Sequence, residues 1–134
     1  MKIHSERVFT YPGWSPPAEG RCRLDVYLGE EGVLVVLRDL DDHQGPSVTN
    51  VVEKVAEAVR ERVLAPLGLE GKAVRWLHWS RTDGVATEVA FRNPSLLQYP
   101  RWRRVGEREV RELLARYGGE ADLDRWLEER EFSF

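Results

Sequence analysis

Residues 33–40 form the most restrictive pattern in the sequence. The run from Val33 to Leu37 is apolar at every position, and successive side chains of a strand point to opposite faces of a sheet. A strand that is apolar on both faces is typical of the buried centre of a sheet. The chain therefore has to build a sheet with a packed layer on each side, and 33–40 is expected at its centre.

The preceding segments predict antiparallel neighbours for this strand. Residues 21–28 alternate apolar and polar positions, as a half-buried strand does, and Gly29 to Gly32 predicts the hairpin turn that follows. The apolar positions are Cys22, Leu24, Val26 and Leu28. A further, weaker strand is predicted over 3–11, and prolines end it.

A stripe of valines predicts one long helix after the central strand. These valines recur every three or four residues, which is the period of one helix face, and Pro66 with Gly68 ends the pattern. Each valine disfavours a helix by a few tenths of a kcal/mol, and we expect packing of the stripe to outweigh this cost. The stripe consists of Val48, Val52, Val55, Val59 and Val63.

A second hairpin is predicted over 73–80 and 85–92, around an Asp-Gly turn. Its register pairs Ser80 with Val85, His78 with Thr87, Trp76 with Val89 and Val74 with Phe91. The other face carries Leu77 and Trp79 opposite Glu88 and Ala86, which is too apolar for water. Something must cover that face.

The remaining residues predict a loop followed by two helices. The loop runs from Asn93 and Pro94 past Trp102, one helix spans about 107–117, and a short helix begins near Asp122. The whole chain, 1–134, is expected to form a single α+β domain. We predict a mostly antiparallel sheet of four or five strands, with the valine-striped helix on one face and two C-terminal helices.

Composition excludes several classes of protein. The longest apolar run is far shorter than the roughly 20 residues of a membrane-spanning helix, and the amino terminus lacks the pattern of a signal peptide. Cys22 is the one cysteine, so no internal disulfide can form, and its spacing indicates a core residue. A cytoplasmic protein that does not contact membranes is expected. The 17 arginines against three lysines suggest a bacterial, thermophilic source.

Polar residues between the central strand and the helix form the first candidate site. If 33–40, the helix and 73–80 make a crossover, both strands end at one sheet edge. Asp41, Asp42, His43 and His78 would then lie together and could perform acid–base chemistry or ligate a metal. Backbone N–H groups beside Ser47, Thr49 and Asn50 could bind an anion. The same residue types also occur in ordinary strand-to-helix turns, so neither a cofactor nor a metal is expected.

Two further clusters suggest binding. Aromatic residues interleaved with arginine can stack bases and hold phosphates, and such a cluster contains Arg101, Trp102, Arg103, Arg104 and Arg108. Because the net charge is -3, nucleic-acid binding by the whole surface is not expected. Trp102 follows a proline and could equally be a plug that anchors the loop to the core. Large apolar side chains on the outer sheet face and in the tail could form either a second core under the termini or an interface in a homodimer or other homo-oligomer. They are Leu77, Trp79, Trp126, Phe132 and Phe134.

Several short motifs resemble those of a group of small bacterial proteins of uncharacterised function. They are the run from Gly45 to Asn50, the run from Trp76 to His78, Phe91, and the run from Pro100 to Trp102. The resemblance covers about 33–117 and implies a small bacterial domain, with no activity to transfer. From the residues we therefore expect a non-catalytic binding or self-assembling module, with a small enzyme or anion site and a single-stranded nucleic-acid contact as alternatives. The ligand is open.

Overall fold

A computed structural model describes residues 1–13, 19–40, 48–80, 85–93 and 98–129. Its described strands form one sheet in the order of the sequence. The strands are β1 (Lys2–Pro12), β2 (Glu19–Gly29), β3 (Gly32–Asp39), β4 (Val74–Ser80), β5 (Val85–Asn93) and β6 (Gln98–Val105). The helices are α1 (Val48–Val59), α2 (Glu107–Arg116) and α3 (Glu120–Glu128), and a π-helical turn, Arg60–Leu64, continues α1.

The α+β class is confirmed, and the predicted number of strands is wrong. The sheet has six strands rather than four or five, and every neighbouring pair is antiparallel except β3 and β4. The additional strand is β6, which lies in the segment predicted to be a loop. Its sequence lacks an alternating apolar pattern, because its described residues from Arg101 to Arg104 are exposed whichever face of the sheet they lie on.

The central position of β3 is confirmed. It pairs antiparallel with β2 and parallel with β4, and all its residues from Gly32 to Arg38 are buried. The connection to β4 carries α1 across one face of the sheet. At the preceding β2–β3 turn, Gly32 adopts a φ of 134°, and a Cβ there would lie 2.3 Å from the Ala73 carbonyl oxygen. Glycine is therefore required where the turn meets the start of β4.

One face of the sheet packs against α1. The buried valines of the helical segment, Val55, Val59 and Val63, contact the core built from β2, β3 and β4. Burial of each contributes about 1.5–3 kcal/mol, which exceeds the small helix penalty of valine. Val48 and Val52 also lie in α1. The helix α1 contacts β1 and β6, and Arg62 of the π-helical turn donates a hydrogen bond to the Thr10 carbonyl of β1.

The other face of the sheet packs against α2 and α3, which are the elements that cover its apolar residues. Leu77 and Trp79 of β4 lie in a second core with Leu114, Leu123 and other residues of these two helices. The predicted register of the second hairpin is confirmed for Ser80 with Val85 and for its next two pairs, and the turn itself lies outside the described residues. No helix among those described is long and apolar enough to cross a membrane.

Candidate functional site

The predicted site between β3 and α1 is described only in part. Asp41, Asp42, His43 and Ser47 lie outside the described residues. Thr49 and Asn50 belong to the first turn of α1, and their side chains are not described. Of this candidate set, His78 is therefore the residue whose surroundings can be analysed.

His78 forms a buried pair with Asp39 near the carboxyl ends of β3 and β4. Its Nε2 lies 2.8 Å from Asp39 Oδ1, and neither side chain has any exposed surface. A carboxylate can only accept, so Nε2 carries the hydrogen that is donated, which fixes the ring orientation. The pair joins the two parallel strands by their side chains. Because it is enclosed, a substrate cannot contact it in this conformation, and we interpret it as a structural pair.

Cys22 lies beside this pair and is not suited to nucleophilic chemistry. It is wholly buried, and its cross-strand partner is Asp39. Burial, together with the negative charge of Asp39, raises the pKa of the Cys22 thiol far above its ordinary value. The reactive thiolate is therefore disfavoured. Within the described ranges, no group of three His, Cys, Asp or Glu side chains is arranged to hold a metal ion.

The residues proposed as an intersubunit surface lie inside the molecule. Leu77, Trp79 and Trp126 are buried between the sheet, α2 and α3 of the same chain. Phe132 and Phe134 fall outside the described residues. For the three residues that can be placed, the structure supports the core rather than the interface, because the chain's own C-terminal helices occupy that face, and homo-oligomer formation stays a prediction.

A polar network between the sheet and α3 was missed from the sequence. Asp25 accepts hydrogen bonds from Arg38 Nη2 at 3.0 Å and from Ser5 Oγ at 2.7 Å, and the guanidinium of Arg38 lies 4.1 Å from the centre of the Trp126 ring. Asp25 and Arg38 are both buried. A charged residue in each of two neighbouring apolar strands was the available signal, but the pairing of these two residues depends on the strand register.

The network extends to α3 through Lys2, whose Nζ lies 3.6 Å from Asp25 and 3.1 Å from Asp122. The Tyr27 hydroxyl also donates to Asp122, at 2.5 Å. Burial of Tyr27, and then its hydrogen bond to Asp122, raise the pKa of the phenol. Burial opposes ionisation of Asp122, yet the hydrogen bonds from Tyr27 and Lys2 leave its pKa below the usual value. The network fixes α3 to the sheet and is structural.

A cavity of about 780 Å³ lies between β1 and the helical segment. Its lining includes three acidic and two basic side chains, so it favours neither an anion nor a cation. These charged residues are Glu19, Lys54, Glu57, Glu61 and Arg62. Small-molecule sites usually carry only a few polar groups, whereas half of the described residues that line this cavity are charged.

The remaining candidate residues, Arg101 to Arg104 and Arg108, are exposed to solvent. Trp102 is 50% exposed, whereas the other described tryptophans, at 76, 79 and 126, are buried. It lies on β6 opposite Val89, and Arg104 lies opposite Thr87 on the same face as α1. Arg101 and Arg103 lie on the face of α2. The alternative in which Trp102 is a buried plug is therefore wrong.

The arginines of this set differ in their partners. Arg103 forms ion pairs with Glu88, at 3.1 Å, and with Glu109, and its hydrogen bond lowers the pKa of Glu109. Arg108 Nε lies 3.3 Å from Glu112. By contrast, Arg101 and Arg104 are exposed, and no acidic side chain in the described part of the chain forms an ion pair with either. The outer strand thus presents one exposed indole and two uncompensated positive charges.

Comparison of the chain with protein-family models, curated proteins and solved structures found no match.

Proposed function

We propose that this protein is a non-catalytic binding module that contacts its partner through β6. The observation that carries the proposal is the half-exposed Trp102 on an outer strand, in a chain whose other described tryptophans are packed in the core. Trp and Arg are the residues most enriched among those that dominate binding energy in interfaces. Both types occur together on this strand.

The exposed area of Trp102 sets the scale of the interaction. Half of an indole leaves about 100 Å² in water, and covering it contributes about 2.5 kcal/mol at about 25 cal/mol per Å². Arg101 and Arg104 add charge complementarity, which governs specificity and association rate more than affinity. A partner that covers Trp102 and carries negative charge would use all three side chains.

The alternatives have less support. A catalytic role for His78 is opposed by its enclosure with Asp39, and self-association through Leu77 and Trp79 is opposed by their burial under α2 and α3. Single-stranded nucleic acid could also use Trp102, but two arginines of that candidate set are paired with glutamates.

Parallel selections test the proposal. A random peptide display library and a random single-stranded DNA pool are each selected on the immobilised full chain. Enriched ligands are then measured against Trp102→Ala and against Leu67→Ala, which removes another large side chain that is about half exposed, at 48%. We expect ligands whose affinity falls at least about tenfold, or 1.4 kcal/mol, in Trp102→Ala and little in Leu67→Ala. If neither library yields a ligand that depends on Trp102, while circular dichroism shows both variants folded, the proposal is wrong.

A further inference from the structure

We infer that the partner is an extended acidic polypeptide segment that adds to β6 as a further strand of the sheet. The inference rests on the proposed function and assigns the chemistry of the partner. It follows from the edge position of β6 and from the distribution of charge on its two faces.

The backbone of β6 offers a place for another strand. In the described sheet, β6 pairs with β5 alone, so one edge of its backbone has no neighbouring strand. Such an edge presents N–H and C=O groups that an extended peptide can pair with. Pro100 lacks an N–H and is compatible with an edge strand, and alternate residues between Arg101 and Val105 direct their N–H and C=O groups away from β5.

The side chains of β6 select the charge of the added strand. Arg104 lies on the α1 face and Arg101 on the α2 face, so an uncompensated positive charge borders the edge on each side of the sheet. The charge of Arg103 is already balanced by Glu88 and Glu109. An added strand with one carboxylate on each face would complement Arg101 and Arg104.

The spacing of these residues defines a motif. The residue opposite Trp102 should be apolar, the residues opposite Arg101 and Arg104 should be acidic, and the residue opposite Arg103 is unrestricted. A parallel strand would therefore read acidic–apolar–any–acidic, and an antiparallel strand would read acidic–any–apolar–acidic. The order of the two middle positions would report the direction of the added strand.

A second copy of the chain fits this edge less well. If β6 paired antiparallel with its copy about Trp102, Arg101 would lie opposite Arg103 of the copy and Arg104 opposite Pro100, so neither uncompensated arginine would face an acidic residue. Single-stranded nucleic acid would use the indole and the arginines but not the free backbone edge. Charge and backbone together therefore favour an acidic peptide.

The test uses synthetic peptides with the full-length chain. Fluorescein-labelled peptides contain a Glu-Val-Thr-Glu or a Glu-Thr-Val-Glu core flanked by threonines, and matched controls carry Lys in place of Glu. Fluorescence anisotropy measures their binding, and amide hydrogen exchange reports on Gln98–Val105. We expect one acidic peptide to bind at least about tenfold more tightly than its lysine control, and to slow exchange in β6. The double variant Arg101→Glu/Arg104→Glu, at two exposed positions, should reverse the preference for charge.

Other outcomes overturn the inference in distinguishable ways. Equal binding of the acidic and lysine peptides, or binding that leaves exchange in β6 unchanged, would exclude an acidic added strand. Binding of oligothymidine that depends on Trp102, without peptide binding, would identify the partner as nucleic acid and leave the proposed function standing. Sedimentation that shows a dimer dissociated by Trp102→Ala would assign the edge to a second copy. If the peptides, oligothymidine and both selections all fail to bind through Trp102, the proposed function fails as well.

Discussion

Replacement of Asp25 by Asn should strongly destabilise the fold. The substitution keeps the shape of the side chain but removes the negative charge that faces Arg38, which is buried and within 3.0 Å. Loss of one partner of a buried ion pair costs about 3–5 kcal/mol, because the other charge remains out of water. Lys2 Nζ, 3.6 Å from Asp25, loses an attraction too.

The converse change, Arg38→Met, should cost less. Asp25 would still accept from Ser5 and would keep Lys2 nearby, and methionine can still pack against Trp126. In the double variant neither buried charge is left alone. Its loss of stability should therefore be smaller than the sum of the two single losses by about 1–3 kcal/mol.

Urea denaturation of the wild type, both single variants and the double variant measures these free energies of unfolding. The slope of each transition should be unchanged, which shows that the same surface is exposed on unfolding. The reasoning is refuted if the two losses add to within about 0.5 kcal/mol, since independent sites behave in that way. It is also refuted if Asp25→Asn costs less than about 1 kcal/mol, the scale of an exposed pair.

Two further predictions concern other parts of the fold. Gly32→Ala should lower the free energy of unfolding by several kcal/mol, because the new Cβ would lie 2.3 Å from the Ala73 carbonyl oxygen. Gly68→Ala is the control, since φ is 72° but no atom lies within 4 Å of its Cβ, and it should cost about 1 kcal/mol. Equal losses of stability in thermal unfolding would contradict this reasoning. Asp122 has a folded-state pKa below its unfolded value, so its stabilisation is present above about pH 4 and is lost as pH falls through the folded pKa. Asp122→Asn should therefore lower the free energy of unfolding at neutral pH, and below about pH 4 the stability of the variant should change less with pH than that of the wild type. Urea denaturation at several pH values measures this, and an unchanged dependence of stability on pH would exclude this role of Asp122.

The sequence patterns were sufficient where burial on one or both faces determined the strand. The apolar run at Val33 to Leu37 identified the centre of the sheet, and the register from Ser80 and Val85 followed from the turn length. The apolar outer face of β4 also showed that a second layer was needed, although not that the layer was α2 and α3. Periodicity reports which face is buried but not which element covers it.

Patterns of this kind could not identify β6 or the polar contacts. The only buried side chain described in β6 is Val105, so the strand has no alternating signal, and Trp102 in a proline-containing segment suggested a loop plug. The pairing of His78 with Asp39 requires that β3 and β4 be parallel neighbours in one particular register. The sequence marked Arg101 to Arg104 as a candidate cluster, but the position of these residues on an edge strand became visible only in three dimensions.

The single parallel pair at the centre of the described sheet also bears on how the chain folds. β1, β2 and β3 form one meander and β4, β5 and β6 form another, and each is joined by short connections that close at little entropic cost. Contact between β3 and β4 instead requires closure of the long segment from Leu40 to Ala73, which lies between them. Long-range strand pairing slows folding, so the two meanders should form early and their union should limit the rate. We therefore expect the β3–β4 pair, which joins the two halves of the sheet, to be the last part of the sheet to form.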